Sequence, residues 1–316
     1  YELTPTGIGV QKIKIKIEQT QNYNAFEGEA EITIKPAPMK LGFETDTVVY
    51  GDNLTLSVTG NYDEDSGETG AVTFAGITNT TGFAELDKLN GILKPKSVGE
   101  VEISVSVAAT KNWLATDAVI KVTITPRPVV IEWDEKTLEF TYDKNEHVPE
   151  AIVSNLVNTD KAELEILGKQ TNAGVDYTAT VIKVLNGNYT LEGGTNLTTT
   201  FTIHKAPITV VVDTQTNAVY KQDYALSISG NEGGGEVVYT VENGYDGTDG
   251  NATVNGATLS PMHVGKVLIT AVVEETANYL GGTGYGILVI DRAPMQLEMS
   301  PTEAVYGTST QIIITG

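Results

Sequence analysis

The chain has 316 residues and no cysteine, which excludes a disulfide framework, a Cys-ligated zinc site and a thiol nucleophile. Asp and Glu number 41 against 20 Lys and Arg, a formal net charge of −21, and a surface so acidic repels nucleic acid and anionic membranes. With 40% apolar and 19% charged residues the composition is globular, the length suits several small domains, and no apolar run is long enough to form a membrane-spanning helix.

Residues 1–36 open with a strand in which Ile13, Ile15 and Ile17 alternate with Lys12, Lys14 and Lys16. That period of two predicts one buried and one wet face. An Asn-aromatic pair follows at Asn22-Tyr23, then a second β-rich run, Lys35 and Pro38. The stretch 37–126 spells the same order in full. It opens with VYGDNLTLSVTG (49–60), continues through an acidic hairpin NYDEDSGETG (61–70) and an Asn90-Gly91 turn, and reaches VEISVSV. There Val101, Ile103, Val105 and Val107 share one face, and Asn112-Trp113 follows. Asn-Gly is a strong hairpin signal because both positions accept positive φ.

The stretch 127–205 repeats the order with Tyr142, Gly174 and Asn188-Tyr189, but its buried phase is expected at Val175, Tyr177, Ala179 and Val181. Its glycine lies 14 residues before the Asn, against 13 in the other three stretches that carry the pair, and a bulge or longer turn is expected to absorb the difference. The stretch 206–292 returns to the first pattern, with VYKQDYALSISG (219–230), Val267, Ile269, Ala271 and Val273 in phase, and Asn278-Tyr279. Residues 293–316 repeat only the opening, VYGTSTQIIITG. The map therefore predicts the closing part of one domain (1–36), three complete domains (37–126, 127–205, 206–292) and the opening of another (293–316). Such a map suits a segment of a longer array, whose export and anchoring signals are expected outside it. The two partial ends could complete each other across chains, although the counterpart of residues 61–90 is missing from both.

Short strands at close turn spacing predict an all-β fold of tandem Ig-like β-sandwich domains in an elongated rod. Each domain is expected to extend about 35–40 Å at ~3.3 Å per strand residue. The Asn-aromatic pair falls in the turn between the last two strands of each domain. The junction proline then hands the chain to the next domain without a linker and fixes φ there. Arg127 and Arg292, the two arginines, lie at junctions, with Lys35 and Lys205 in similar places. They are expected either to pair with acidic side chains of the adjoining domain or simply to begin a strand.

NAGVDYTATV, followed by GNYT and TFTIHKAPITV, resembles the MBG-type and related bacterial Ig-like repeats of large surface proteins. The stretches with VYGDNLTLSVTG and PKSVGEVEISVSV resemble a neighbouring bacterial Ig-like group. The resemblance spans essentially the whole chain and implies long arrays on bacterial surfaces, often adhesin stalks. It carries no catalytic residues.

The residues agree. His147, His204 and His263 are the only histidines and are placed in or beside different stretches, away from any Ser and Asp constellation, so no catalytic residue is assigned. No cofactor-binding or metal residue is assigned either. A calcium site is a minor possibility at Asp63, Asp65 and Glu68 around Gly67, or at Asp246 and Asp249, but the full calcium-loop ligand pattern is missing from both. The expectation is a structural segment of an extracellular, bacterial cell-surface protein, a stalk or fibre that performs no catalysis. Its partners are neighbouring Ig-like domains of the same chain, with no nucleic acid and no membrane insertion in this segment. The alternative is a binding module for a host protein or glycan, for which Trp113 and Trp133, on either side of one junction, are the candidates.

Overall fold

The computed structural model describes residues 2–44 and 46–316. Its secondary structure among these residues is β-strand with two single turns of 3-10 helix. The chain divides into two compact units. The first comprises Tyr1–Trp133, Glu150–Leu167 and Thr180–Thr199, and the second Asp134–Pro149, Gly168–Ala179 and Thr200–Gly316.

The first unit begins with an antiparallel ribbon of Gly9–Ile17 and Phe26–Ile34. The predicted alternation sets Lys12, Lys14 and Lys16 opposite Glu31, Glu29 and Glu27, at 3.4, 4.0 and 3.8 Å. These pairs are solvent-exposed and each contributes at most about 1 kcal/mol. The opposite face carries Ile13, Ile15 and Ile17, and among the described residues no second sheet covers it: Ile15 is 40% and Ile17 53% exposed.

Next comes a sandwich of two sheets. One orders its strands as Val72–Thr80, Gly99–Val107, Thr116–Thr125 and Thr47–Val49; the other as Phe83–Asp87, Ile92–Ser97 and Leu54–Thr55. Val101, Ile103, Val105 and Val107 point inward as their spacing predicts and meet Leu93, Ala84 and Leu56 from the facing sheet. Each fully buried Val, Leu or Ile contributes roughly 1.5–3 kcal/mol. Thr47–Val49 runs parallel to the closing strand, pairing with Thr123–Thr125, whereas its sheet is otherwise antiparallel. Only Pro126 separates Thr116–Thr125 from the next strand, Arg127–Trp133. That strand lies between Ala151–Val153 and Tyr189–Thr195, and its Val129 and Ile131 join the same continuous core.

The second unit repeats the plan. One sheet is ordered Ala218–Val219, Gly282–Asp291, Gly265–Val273 and Val237–Glu242, and the other Tyr224–Ala225, Thr258–His263 and Asn251–Asn255. Val267, Ile269, Ala271 and Val273 face Leu259, Ala252 and Leu226. Parallel edge pairing recurs at Ala218–Val219 with Ile290–Asp291, and at Glu139–Thr141 with Thr202–His204.

The strand Gly174–Val184 departs from expectation at one residue. Ala179 and Val181 are buried and Tyr177 partly so, but Val175 is 70% exposed. Asp176 has φ 56, in the left-handed region, and interrupts the extended alternation just after Val175. A register shift between Glu165 and Ile166, opposite Lys183 and Val181, is the bulge that the extra residue called for.

Candidate functional site: a recurrent Asn-aromatic joint

The Asn-aromatic pair sits in a hydrogen-bonded turn between the last two strands of its stretch. The N–H of the preceding Thr donates to the aromatic residue's carbonyl in three copies: Thr20 to Tyr23 (2.9 Å), Thr110 to Trp113 (3.1 Å) and Thr276 to Tyr279 (2.9 Å). The Asn carbonyl then accepts from the first residue of the same stretch. Ala37 donates to Asn112 (3.1 Å), Arg127 to Asn188 (2.9 Å) and Ala206 to Asn278 (2.9 Å).

The Asn side chain reaches the preceding stretch. Its Oδ1 accepts the N–H of Ile8 at Asn112 (3.3 Å), of Val98 at Asn188 (3.0 Å) and of Ala173 at Asn278 (2.8 Å). Each donor is the residue before the recurrent glycine. Gly99 and Gly265 have φ of +135° and +140°, and a Cβ there would lie 2.3 Å from the Gly82 nitrogen or 2.4 Å from the Gly250 nitrogen. Positive φ and close backbone approach together leave glycine as the residue that fits.

The aromatic member packs edge-on against the early tyrosine of the preceding stretch. Tyr189 meets Tyr50 at 5.7 Å and Tyr279 meets Tyr142 at 5.3 Å between ring centroids. Such pairs contribute about 0.5–1.5 kcal/mol beyond area burial. The tyrosine is anchored identically each time, its N–H donating at 2.9 Å to the end of the closing strand: Tyr50 to Thr125, Tyr142 to His204, Tyr220 to Asp291.

Around this shared pattern each joint has its own polar support. Asp160 Oδ2 accepts the hydroxyls of both Tyr50 and Tyr189 at 2.8 Å, while the Tyr189 oxygen accepts the Val157 N–H at 2.7 Å. Burial, reinforced by Asp160 against the opposing Val157 bond, pushes the Tyr189 phenol up to about 12. Arg127 donates from Nε to the Tyr50 carbonyl (2.8 Å) and pairs with Asp52, so this junction cation bridges two stretches as one of its two expected roles requires. Lys205 pairs with Glu275 at 3.3 Å. Arg292 and Lys35 make no described ion pair.

The candidate calcium ligands are placed differently from a metal cage. Asp63 is 1% exposed and its carboxylate is occupied by the Ser66 N–H, the Thr110 hydroxyl, and the backbone and side-chain N–H groups of Asn112, all at 3.1–3.3 Å. Burial opposes the charge, but the bonds from Ser66 and Asn112 outweigh it and hold the carboxyl well below the usual range. Glu68 accepts the Lys111 N–H at 2.7 Å. Asp63 and Glu68 thus brace the turn that presents Asn112. Asp65 is exposed, as is Asp249, while Asp246 pairs with Lys266 at 2.6 Å. Among the described residues no three acidic or histidine side chains converge as a metal site needs.

The two tryptophans pack against the core of the first unit rather than clustering on its surface, and the Trp133 indole donates to the Asn196 carbonyl at 2.8 Å. The histidines need a correction: His147 and His204 both belong to the 127–205 stretch and flank the same strand, Glu139–Thr141. They engage separate carboxylates, Asp143 at 2.7 Å and Glu139 at 2.5 Å. Asp160 and Asn172, whose Oδ1 accepts from Asn278 Nδ2 at 3.0 Å, had no signal in the sequence, because neither recurs from stretch to stretch. The residue before each glycine was open to discovery through its fixed place beside a repeat marker.

No family model matches the chain, and no curated protein matches it. Among solved structures, Drosophila N-cadherin EC1-3 is 12% identical, with 79% of this chain and 99% of that chain covered at a TM-score of 0.26. An ICAM-5 D1-D4 ectodomain fragment is 9% identical over 83% and 80% at 0.32. A SusE-like surface-located polysaccharide-binding protein of the Bacteroides thetaiotaomicron heparin utilisation locus is 14% identical over 95% and 55% at 0.23. At TM-scores of this size the likenesses carry no argument about function.

Proposed function

We propose that this chain is a spacer: a segment of a long extracellular protein on a bacterial surface, in which tandem sandwiches of 37–126, 127–205 and 206–292 form a semi-rigid stalk or fibre. It performs no catalysis. The observation that carries this reading is the three-fold recurrence of one joint, made by the Asn side chain reaching the preceding stretch and, in two copies, by a tyrosine edge contact, while the Asn carbonyl ties the turn to the start of its own stretch. A flexible linker would leave neighbouring domains free to bend. Here Pro126 alone stands between the closing strand Thr116–Thr125 and the opening strand Arg127–Trp133, and side chains from both sides fill that joint. The partners of each sandwich are then its neighbours in the chain.

Small-angle scattering of the 316-residue chain tests this. Three sandwiches of about 35–40 Å each give a rod with a radius of gyration of roughly 30–40 Å, whereas one compact globule of this length has about 20 Å. Replacing Asn112, Asn188 and Asn278 together with Ala should broaden the distance distribution. A globular radius, or an unchanged distribution in the triple variant, would overturn the spacer reading.

A further inference from the structure

The sheets of 37–126 and 206–292 bury the same positions but finish their outer faces differently. In 37–126 the central strand reads VEISVSV, and its outward residues are satisfied across the sheet: Glu102 pairs with Lys121 at 2.9 Å, and the Ser106 hydroxyl donates to Asp117 at 2.6 Å. The counterpart in 206–292 reads VLITAVV, a near-continuous apolar run of the kind strands carry when both faces are covered. Leu268 opposite Ile287 replaces the ion pair, and Val272 opposite Thr283 replaces the Ser-Asp bond. Val238 stands beside Val272 from the edge strand, and Tyr285 lies opposite Thr270 at the middle. Tyr285 is 66%, Val238 48%, Ile287 45% and Val272 42% exposed. Scattered exposed apolar residues mean little, but a contiguous face of them marks a surface that something covers.

We propose that a second copy of this chain covers it, the two outer faces stacking about a twofold axis. The axis lies between the sheets and crosses the strands at the level of Thr270 and Tyr285. Each strand then runs antiparallel over its own counterpart, within the ~30° that stacked sheets keep. Tyr285 meets Tyr285 of the other copy at the centre, and Leu268 of each copy meets Val272 of the other. The charges fix this direction. Lys266 and Glu274 stand at opposite ends of the same outward row, and antiparallel stacking brings each Lys266 toward the other copy's Glu274. Parallel stacking would set like charges together. Lys266 already donates to Asp246 at 2.6 Å, and its ammonium has donors to spare. The nine residues of Gly265–Val273 at ~3.3 Å each, with a strand ~4.8 Å away on either side, give a face of about 30 by 15 Å. With side-chain relief, two such faces bury roughly 1,000–1,200 Å² of accessible surface, the lower limit of a specific interface, so the dissociation constant should be micromolar. An isologous contact closes on itself and stops at the dimer. Such pairing joins neighbouring stalks side by side and adds to the spacer reading, which the radius of gyration of the monomer decides separately.

Sedimentation velocity of the full chain across a range of concentrations tests it, with a reversible equilibrium of monomer and dimer, and nothing larger, expected. Added salt should strengthen pairing, because it screens the repulsion between two chains of net charge −21. The decisive variant is Leu268→Glu with Ile287→Lys, which installs the ion pair that 37–126 carries at the same positions and so suits the fold. It should weaken pairing at least about 100-fold and leave the melting temperature of the monomer close to the parent's. Tyr285→Ser should weaken pairing about tenfold. Lys266→Glu and Glu274→Lys should each dimerise poorly alone, yet form mixed dimers in which both end pairs are restored. A chain that stays monomeric at every concentration, pairing that salt abolishes, or a double variant that associates like its parent would overturn the proposal. So would charge variants that pair no better when mixed than apart.

Discussion

Replacing Tyr189 with Phe removes a single oxygen from the joint between the 37–126 and 127–205 stretches. That oxygen accepts the Val157 N–H at 2.7 Å and donates to Asp160 at 2.8 Å, and the residue is 4% exposed. The amide is left without an acceptor, and the carboxylate loses one of two hydroxyl donors, each a loss of roughly 1–2 kcal/mol. The expected destabilisation is therefore about 2–3.5 kcal/mol, or a fall of roughly 5–12 °C in the melting temperature of a unit this size. Tyr50→Phe should do less, because Tyr50 donates to the same Asp160 oxygen and its side chain accepts no described backbone bond. Since the two hydroxyls share one acceptor, the double variant should lose more than the sum of the singles, by about 0.5–1 kcal/mol. Urea denaturation of the four proteins followed by circular dichroism measures the cycle. Strict additivity, or a Tyr189→Phe loss under about 0.5 kcal/mol, a loss typical of surface positions, would refute the shared-acceptor arrangement.

Gly99→Ala should destabilise by about 1–3 kcal/mol or more, since it combines positive φ with a Cβ 2.3 Å from the Gly82 nitrogen; thermal melts check it. Asp143 is held down to about 2 by the side-chain and backbone bonds of Asn145 and then by His147, so its folded value lies below its unfolded value near ~4. Its contribution is present above pH ~4 and fades as pH falls toward ~2, and Asp143→Asn should flatten that part of the stability profile. Tyr189 behaves oppositely: its phenol is raised to about 12, so its contribution is complete below pH ~10 and disappears as pH climbs through about 12, which spectrophotometric titration of parent and Tyr189→Phe resolves. Millimolar calcium should leave the melting temperature unchanged, because the Asp63 oxygens are engaged by four donors; a metal-dependent rise would reopen the 61–70 hairpin as a site.

Much of the architecture was legible because strand periodicity and burial are the same statement. VEISVSV could bury only its Val and Ile positions, and it does. The joint was legible in outline, as recurring markers whose spacing pointed to one shared task. Its chemistry was not. Asp63 looked like a metal ligand because acidic residues around a glycine resemble a calcium loop; its burial and its four donors depend on Thr110 and Asn112, more than forty residues away. Asp160 and Asn172 were invisible for the same reason. Val175 was misplaced because alternation assumes an extended backbone, and the positive φ at Asp176 breaks it one residue later.

The parallel pairing at the sheet edge also has a mechanical meaning. In the stretch 37–126, Thr47–Val49 near the entry of the chain lies beside Thr123–Thr125 near its exit, and Ala218–Val219 with Ile290–Asp291 repeats this in 206–292. A pull applied through the two ends draws these strands in opposite directions along their length. The ladder bonds between them are then strained in shear, all together, rather than peeled open one after another. Tension carried along the chain thus meets its greatest resistance at the first contact it must break.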